Sequence, residues 1–136
     1  MPTAGYSGTP LARKLGIKED FECHFHQQPA HYFELFDDLP PIHKLETPGL
    51  ESLDFMHVFV KARTELESIG PKAMGFLKKN GMLWVSWPKG ASGIKTDLNR
   101  DIIRNYLLDI GLVDVKVAAV DETWSGLKFV YRLKDR

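Results

Sequence analysis

The chain has 136 residues, 43% of them hydrophobic, and its 18 Lys and Arg balance 18 Asp and Glu. That length suits one domain over residues 1–136, burying roughly two-thirds of the unfolded surface, while a net charge of zero gives no field to recruit nucleic acid or an anionic membrane. No apolar run reaches the roughly 20 residues a bilayer requires, the lone Cys23 has no disulfide partner in the chain, and Met1 to Leu15 lacks the apolar core of a signal peptide, so a cytoplasmic setting, bacterial or other, is expected.

Tyr6 to Gly16 reads as a loop and a short helix, with Thr9 as N-cap, Pro10 at the first helical position and Gly16 as the stop. From Phe21 to His26, apolar Phe21, Cys23 and Phe25 alternate with polar Glu22, His24 and His26, the period of a strand with unlike faces. A short helix around His31 to Asp37 stops at Pro40-Pro41, and Ile42 to Glu46 forms a second strand before the turn at Thr47-Pro48-Gly49. Phe55 to Val60 is apolar throughout, as a strand buried on both faces of a parallel sheet would be.

Ala62 to Lys79 carries Leu66, Ile69, Ala73, Phe76 and Leu77 on one helical stripe, which Gly70-Pro71 is expected to kink or split and Asn80-Gly81 to end. Met82 to Trp87 is a further strand. A helix from Thr96 or Asp97 then runs to Gly111 with Leu98, Ile102, Ile103, Tyr106, Leu107 and Ile110 on one side. Val113 to Val120 and Leu127 to Leu133 alternate as a hairpin around Asp121 to Gly126. The fold class is therefore α/β: a Rossmann-like three-layer domain with a mainly parallel sheet and a C-terminal antiparallel hairpin.

The succession strand, helix, strand after Lys79-Asn80-Gly81, helix and hairpin is similar to the second half of the S-adenosylmethionine-dependent methyltransferase fold, where Leu77 to Val85 has a counterpart. Four longer words carry a narrower resemblance. Tyr6-Ser7-Gly8-Thr9-Pro10-Leu11 with Lys14-Leu15-Gly16-Ile17, Trp84-Val85-Ser86-Trp87-Pro88-Lys89, Thr96-Asp97-Leu98, and Val120 to Lys128 resemble a bacterial family known as domain of unknown function 3052. The resemblance covers nearly the whole chain and implies a scaffold without implying an activity. That family's first strand is largely aliphatic, whereas this one runs Cys23-His24-Phe25-His26-Gln27-Gln28-Pro29, so any role for these histidines belongs to this branch.

A nucleotide-binding Rossmann unit places glycines after its first strand so that backbone N–H groups approach the ligand. Here that loop is Gln27-Gln28-Pro29-Ala30-His31, without G-x-G and with one donor removed by Pro29. No cofactor is expected in the standard dinucleotide or S-adenosylmethionine pose. Glu46 lies where an acid can hold ribose hydroxyls, but an isolated surface Glu reads the same way.

Ligands of open α/β sheets bind beyond the carboxyl ends of the parallel strands. Three polar and aromatic segments are expected to meet there: Tyr6, Ser7 and Thr9; Ser86, Trp87, Lys89 and Ser92; and Asp121, Glu122, Trp124, Ser125 and Lys128. Lys89, Lys95 and Lys128 can hold an anion with the Ser92-Gly93 backbone. Asp121 and Glu122 can act as acid and base, or cap the hairpin. On the competing account Trp87 and Trp124 plug the sheet's mouth, while Ser92-Gly93 and Ser125-Gly126 make turns.

His24 and His26 share a strand face, with Cys23 on the other, but without C-x-x-C or H-x-x-x-H spacing no metal site is expected. Ser86 and Ser125 lack the G-x-S-x-G elbow, and no His is placed by sequence to activate them. The leading expectation is a noncatalytic module binding a small anionic ligand or a partner segment. The alternatives are an enzyme using a nucleotide or S-adenosylmethionine in an atypical pose, with Asp121, Glu122 or Lys89 as acid, base or electrostatic stabiliser, and a homodimeric interaction subunit.

Overall fold

The computed structural model describes residues 8–136. Six strands form one sheet: β1 (Glu22–His26), β2 (His43–Lys44), β3 (Leu53–Phe59), β4 (Leu77–Pro88), β5 (Leu112–Ala119) and β6 (Trp124–Tyr131). Their order is β2-β1-β3-β4-β6-β5. β2, β1, β3 and β4 pair in parallel, and β6 is antiparallel to both β4 and β5, which gives the mainly parallel sheet with a terminal hairpin that the element pattern predicts. Among the described residues no helix is long and apolar enough to cross a membrane.

Helices cover both faces. On one side α2 (Arg63–Phe76) and α3 (Arg100–Ile110) pack on Met56, Val58, Leu83, Val85 and Trp87. On the other, α1 (Leu11–Leu15) and a 3-10 turn over Tyr32–Leu35 enclose Cys23, Phe55, Phe59, Trp84 and Trp124. β3 feeds both cores, so its run from Phe55 to Phe59 is buried on both faces, as its unbroken apolar composition requires.

Several boundaries differ from the sequence reading, each for a local reason. Pro10, not Thr9, is the N-cap of α1, while Gly16 takes the left-handed C-cap with φ 86°. The second strand shrinks to two residues at the sheet's edge. α3 is capped by Asn99, whose side chain accepts the Ile102 N–H at 2.9 Å. Thr96 and Asp97 instead tie that loop to the entry of α2, through Lys61 O and Arg63 N.

Gly70-Pro71 does not split α2, which is continuous and ends at Phe76. Pro71 has no N–H to give the carbonyl of Glu67 one turn back; the Tyr106 hydroxyl of α3 donates to that oxygen at 3.3 Å. Gly70 makes the approach possible, since a Cβ there would sit 2.8 Å from the Tyr106 ring. The residues after Phe76 pass directly into β4, which bulges against β3: Leu53 faces Leu77 but Phe55 faces Met82. Lys78 in the bulge bonds Asp54 at 3.1 Å and Glu22 at 3.3 Å.

Gly81 closes this bulge, and a Cβ on it would lie 2.6 Å from the Leu53 carbonyl, a backbone atom that cannot step aside. Gly81→Ala is therefore expected to cost about 1–3 kcal/mol. Gly90→Ala, with nothing within 4 Å, should be nearly silent. Urea unfolding of both variants checks the contrast.

Candidate functional site

From β1 the chain turns outward to β2 and returns on the other side to β3, so the switch point of the sheet lies between the carboxyl ends of β1 and β3. A cleft of about 340 Å³ opens there. Its floor is aromatic: Phe59 and Trp124 meet edge to face with centroids 5.1 Å apart. Its rim is Gln27, Gln28, Pro29, Lys61 and Glu65. Gln27 takes the left-handed conformation at φ 56° and throws its amide across the crevice, donating to the Phe59 carbonyl at 2.9 Å. Glu65 is engaged as a cap of α2, accepting from the N–H groups of Lys61 at 2.7 Å and Ala62 at 3.2 Å.

Gln27 and Glu65 also border a second groove of about 380 Å³ on the α2 side, which His26, Thr64, Ser68, Ile69 and Lys72 complete. Burial, then the neighbouring His24, lowers the pKa of His26. His24 itself bonds the Leu45 carbonyl through Nδ1 at 2.6 Å. No group of three or more His, Cys, Asp or Glu among the described residues is arranged to hold a metal. Cys23 is buried on the opposite face, its thiol pushed up to about 12 by burial and then by Asp54.

Beneath the cleft runs a buried polar chain. His57 is fully enclosed, with Nδ1 2.8 Å from the Tyr32 hydroxyl and Nε2 2.8 Å from Ser86 Oγ. This corrects the expectation that no histidine serves Ser86: His57 lies one strand over. Ser86 and His57 are both 0% exposed and Tyr32 is too, so the trio is sealed from substrate and braces the sheet. His57 stacks on Phe59 at 4.3 Å, linking the chain to the cleft floor.

The three segments expected to converge do so only in part. Tyr6 and Ser7 lie outside the described residues, and Thr9 precedes α1 half-buried. Trp87 and Trp124 belong to opposite cores, because Trp124 faces Pro88 across the β4–β6 pair and Trp87, the residue before Pro88, points the other way. No ligand can lie between the two rings. Lys128 pairs with Trp84, four residues down β6 from the edge, and Ser125 is inside β6, not in a turn. Ser92 does make a turn, donating to Lys89 O at 2.6 Å and accepting from Ile94 N at 3.1 Å.

Asp121 caps the hairpin, its Oδ1 accepting from the N–H groups of Thr123 and Trp124 at 2.8 Å each. Its Oδ2 meets His31 Nε2 at 2.9 Å, tying the loop after β1 to the hairpin. Glu122 is exposed beside it, and Lys89 N donates to Thr123 O at 2.8 Å. Of the candidate ligand-binding residues named from sequence that the structure describes, Trp124 alone lines the cleft, facing the Gln27-Gln28-Pro29 loop read as the cofactor-loop position. Phe59 and Lys61 were within reach of the carboxyl-end rule, because they close the strand most plainly marked in the sequence. Glu65 and the bridging amide of Gln27 depend on tertiary placement.

No protein-family model matches the chain, and no curated protein matches its sequence. Solved structures do match. A Sulfolobus solfataricus protein assigned as a type 11 methyltransferase superposes with a TM-score of 0.61 at 13% identity, over 90% of this chain and 89% of that one. The ribosomal protein L11 methylase of Lactobacillus delbrueckii subsp. bulgaricus gives 0.58 at 11% identity, over 90% and 76%. A Burkholderia thailandensis 1,6-didemethyltoxoflavin-N1-methyltransferase, with 1,6-didemethyltoxoflavin and S-adenosylhomocysteine bound, gives 0.57 at 9%, over 89% and 74%. The chain has the methyltransferase fold. Identities this low speak for architecture, not for chemistry.

Burial pushes the His57 imidazole from 6.5 down to about 3, so the folded protein holds it neutral while the unfolded chain protonates it near its ordinary value. Above pH 6.5 this group adds no pH dependence; as pH falls from there toward 3, proton uptake by the unfolded state drains stability. Between pH 7 and 5 the loss from this group is about 2 kcal/mol. His57→Gln keeps hydrogen-bonding capacity and removes the titration, so denaturant melts across that range should show a shallower decline than the parent.

Proposed function

We propose that the protein is a small-ligand-binding module, its ligand seated in the cleft between the carboxyl ends of β1 and β3. The observation that carries this reading is the cleft's construction: an aromatic floor of Phe59 and Trp124 under a polar rim of Gln27, Gln28, Lys61 and Glu65, at the point where open α/β sheets take their ligands. Among the described residues its lining holds no hydroxyl or thiol, and the carboxylate there, Glu65, is occupied by two backbone N–H groups. That inventory supports a binding role.

The residues at the crevice do not fit S-adenosylmethionine or a dinucleotide in the usual pose. Gln27-Gln28-Pro29 stands where glycines would let backbone reach the ligand, and the Gln27 amide spans the gap to Phe59 O. One observation favours the enzyme reading with a nucleotide or S-adenosylmethionine held differently: Glu46 is exposed just beyond the carboxyl end of β2, where an acid can hold ribose hydroxyls. We also read the chain as a member of the domain of unknown function 3052 family, on the four sequence words given above, which adds no activity.

Thermal-shift screening against polar metabolites, nucleotides and S-adenosylmethionine tests these readings. The expected outcome is a compound of metabolite size that raises the unfolding midpoint and loses about tenfold or more in affinity with Lys61→Ala or Gln27→Ala. A shift with S-adenosylmethionine that Glu46→Ala removes would replace the binding module with the enzyme. A screen in which nothing shifts the midpoint would sink both.

A further inference from the structure

The hairpin carries a set of charges that the fold does not require. Lys116 of β5 and Lys128 of β6 stand directly opposite each other in register, and like charges so placed destabilise a sheet. Lys128 is half-buried, with its ammonium 3.7 Å from where a Cβ on Gly16 would lie, against the end of α1. No hydrogen bond or ion pair reaches that ammonium among the described residues.

Three more lysines extend the pair into a row. The Lys116 ammonium donates to Lys14 O at 2.8 Å, and the Lys14 ammonium donates to Ala119 O at 3.2 Å, toward the carboxyl edge. Lys89 closes the row at that edge, just past β4, and Lys18 closes it beyond α1. Burial, then the charges of Lys116 and Lys89, holds Lys14 below the ordinary lysine value. Burial, then Lys116 and Lys18, does the same to Lys128. No carboxylate pairs with Lys18, Lys89, Lys116 or Lys128 among the described residues. Capping the C-terminal carbonyls of α1 accounts for Lys116. It does not account for an unbonded, half-buried Lys128 placed opposite it.

We propose that this lysine row binds the phosphate groups of a small phosphorylated molecule, with Lys116 and Lys128 as the central pair. A multiply charged anion lying between the two would turn their repulsion into attraction to a shared partner, and the partial burial of Lys128 strengthens its contact. Lysine supplies this as a point charge, without the planar fork of arginine. A small ligand suits the row better than nucleic acid: the chain's net charge is zero, whereas nucleic-acid binding draws on a broad basic surface. The site is separate from the cleft at the switch point and stands or falls without it.

Inorganic pyrophosphate, titrated at constant ionic strength while thermal unfolding is followed, is the direct probe. At about ten times its dissociation constant it should raise the midpoint by about 5 °C. Lys128→Met should abolish that response and, in the absence of anion, raise the midpoint by relieving the opposed charges. Lys61→Ala, in the cleft, should respond as the parent does. No shift with pyrophosphate, or an undiminished shift in Lys128→Met, would overturn the assignment. So would a single-stranded RNA oligonucleotide that binds more tightly than pyrophosphate and loses its affinity with Lys128→Met.

Discussion

A polar side chain at the centre of a strand enclosed on both faces must find every partner it needs inside the protein, and His57 is that side chain. Its two ring nitrogens reach the Tyr32 hydroxyl, in the loop after β1, and the Ser86 hydroxyl, on β4. Leaving either nitrogen unpaired in such surroundings would cost about 1–3 kcal/mol, so the loop, β3 and β4 are held in one fixed relation. The cleft inherits that relation. Its floor residue Phe59 lies flat against the His57 ring, and Trp124 stands edge-on against Phe59.

The same scaffold supports very different crevices. In nucleotide-binding relatives of the fold class, a glycine-rich turn leaves the space beyond the first strand open to backbone approach. In this chain a glutamine in left-handed conformation reaches across that space, and His31 and Asp121 bind the same loop to the hairpin from the other end. Two side-chain tethers therefore do the work of shaping a crevice that elsewhere falls to bare backbone. The architecture is shared with methyltransferases; the surface it presents at the switch point is its own.

The elements were legible in the sequence because their causes are local. Alternation marks β1, the apolar run marks β3, and Gly111 ends α3 where the stripe of apolar residues ends. What escaped was register. Nothing local says that Trp124 faces Pro88 and not Trp87, and a shift of one residue moves every side chain to the other face. The His57–Ser86 bond, 29 residues apart in sequence, depends on the same unreadable alignment of β3 and β4. Site prediction from strand ends pointed to the edge of the sheet where the cleft opens but favoured the half with the more conspicuous residues, Trp87 and Ser86, both of which turn inward.

The proline within α2 has a consequence for how this sequence can change over generations. Pro71 leaves the Glu67 carbonyl without its helical donor, Tyr106 supplies one from α3, and Gly70 makes room for the ring that carries it. While Pro71 stands, neither Tyr106 nor Gly70 can be replaced alone without stranding that acceptor or creating a collision, whereas any other residue at 71 restores the helical N–H. Phenylalanine at position 106 would fit the space and still fail the carbonyl; alanine at position 70 would satisfy the helix and strike the ring. The dependence runs one way, so in descendants of this chain Tyr106 should be lost only together with the proline or after it.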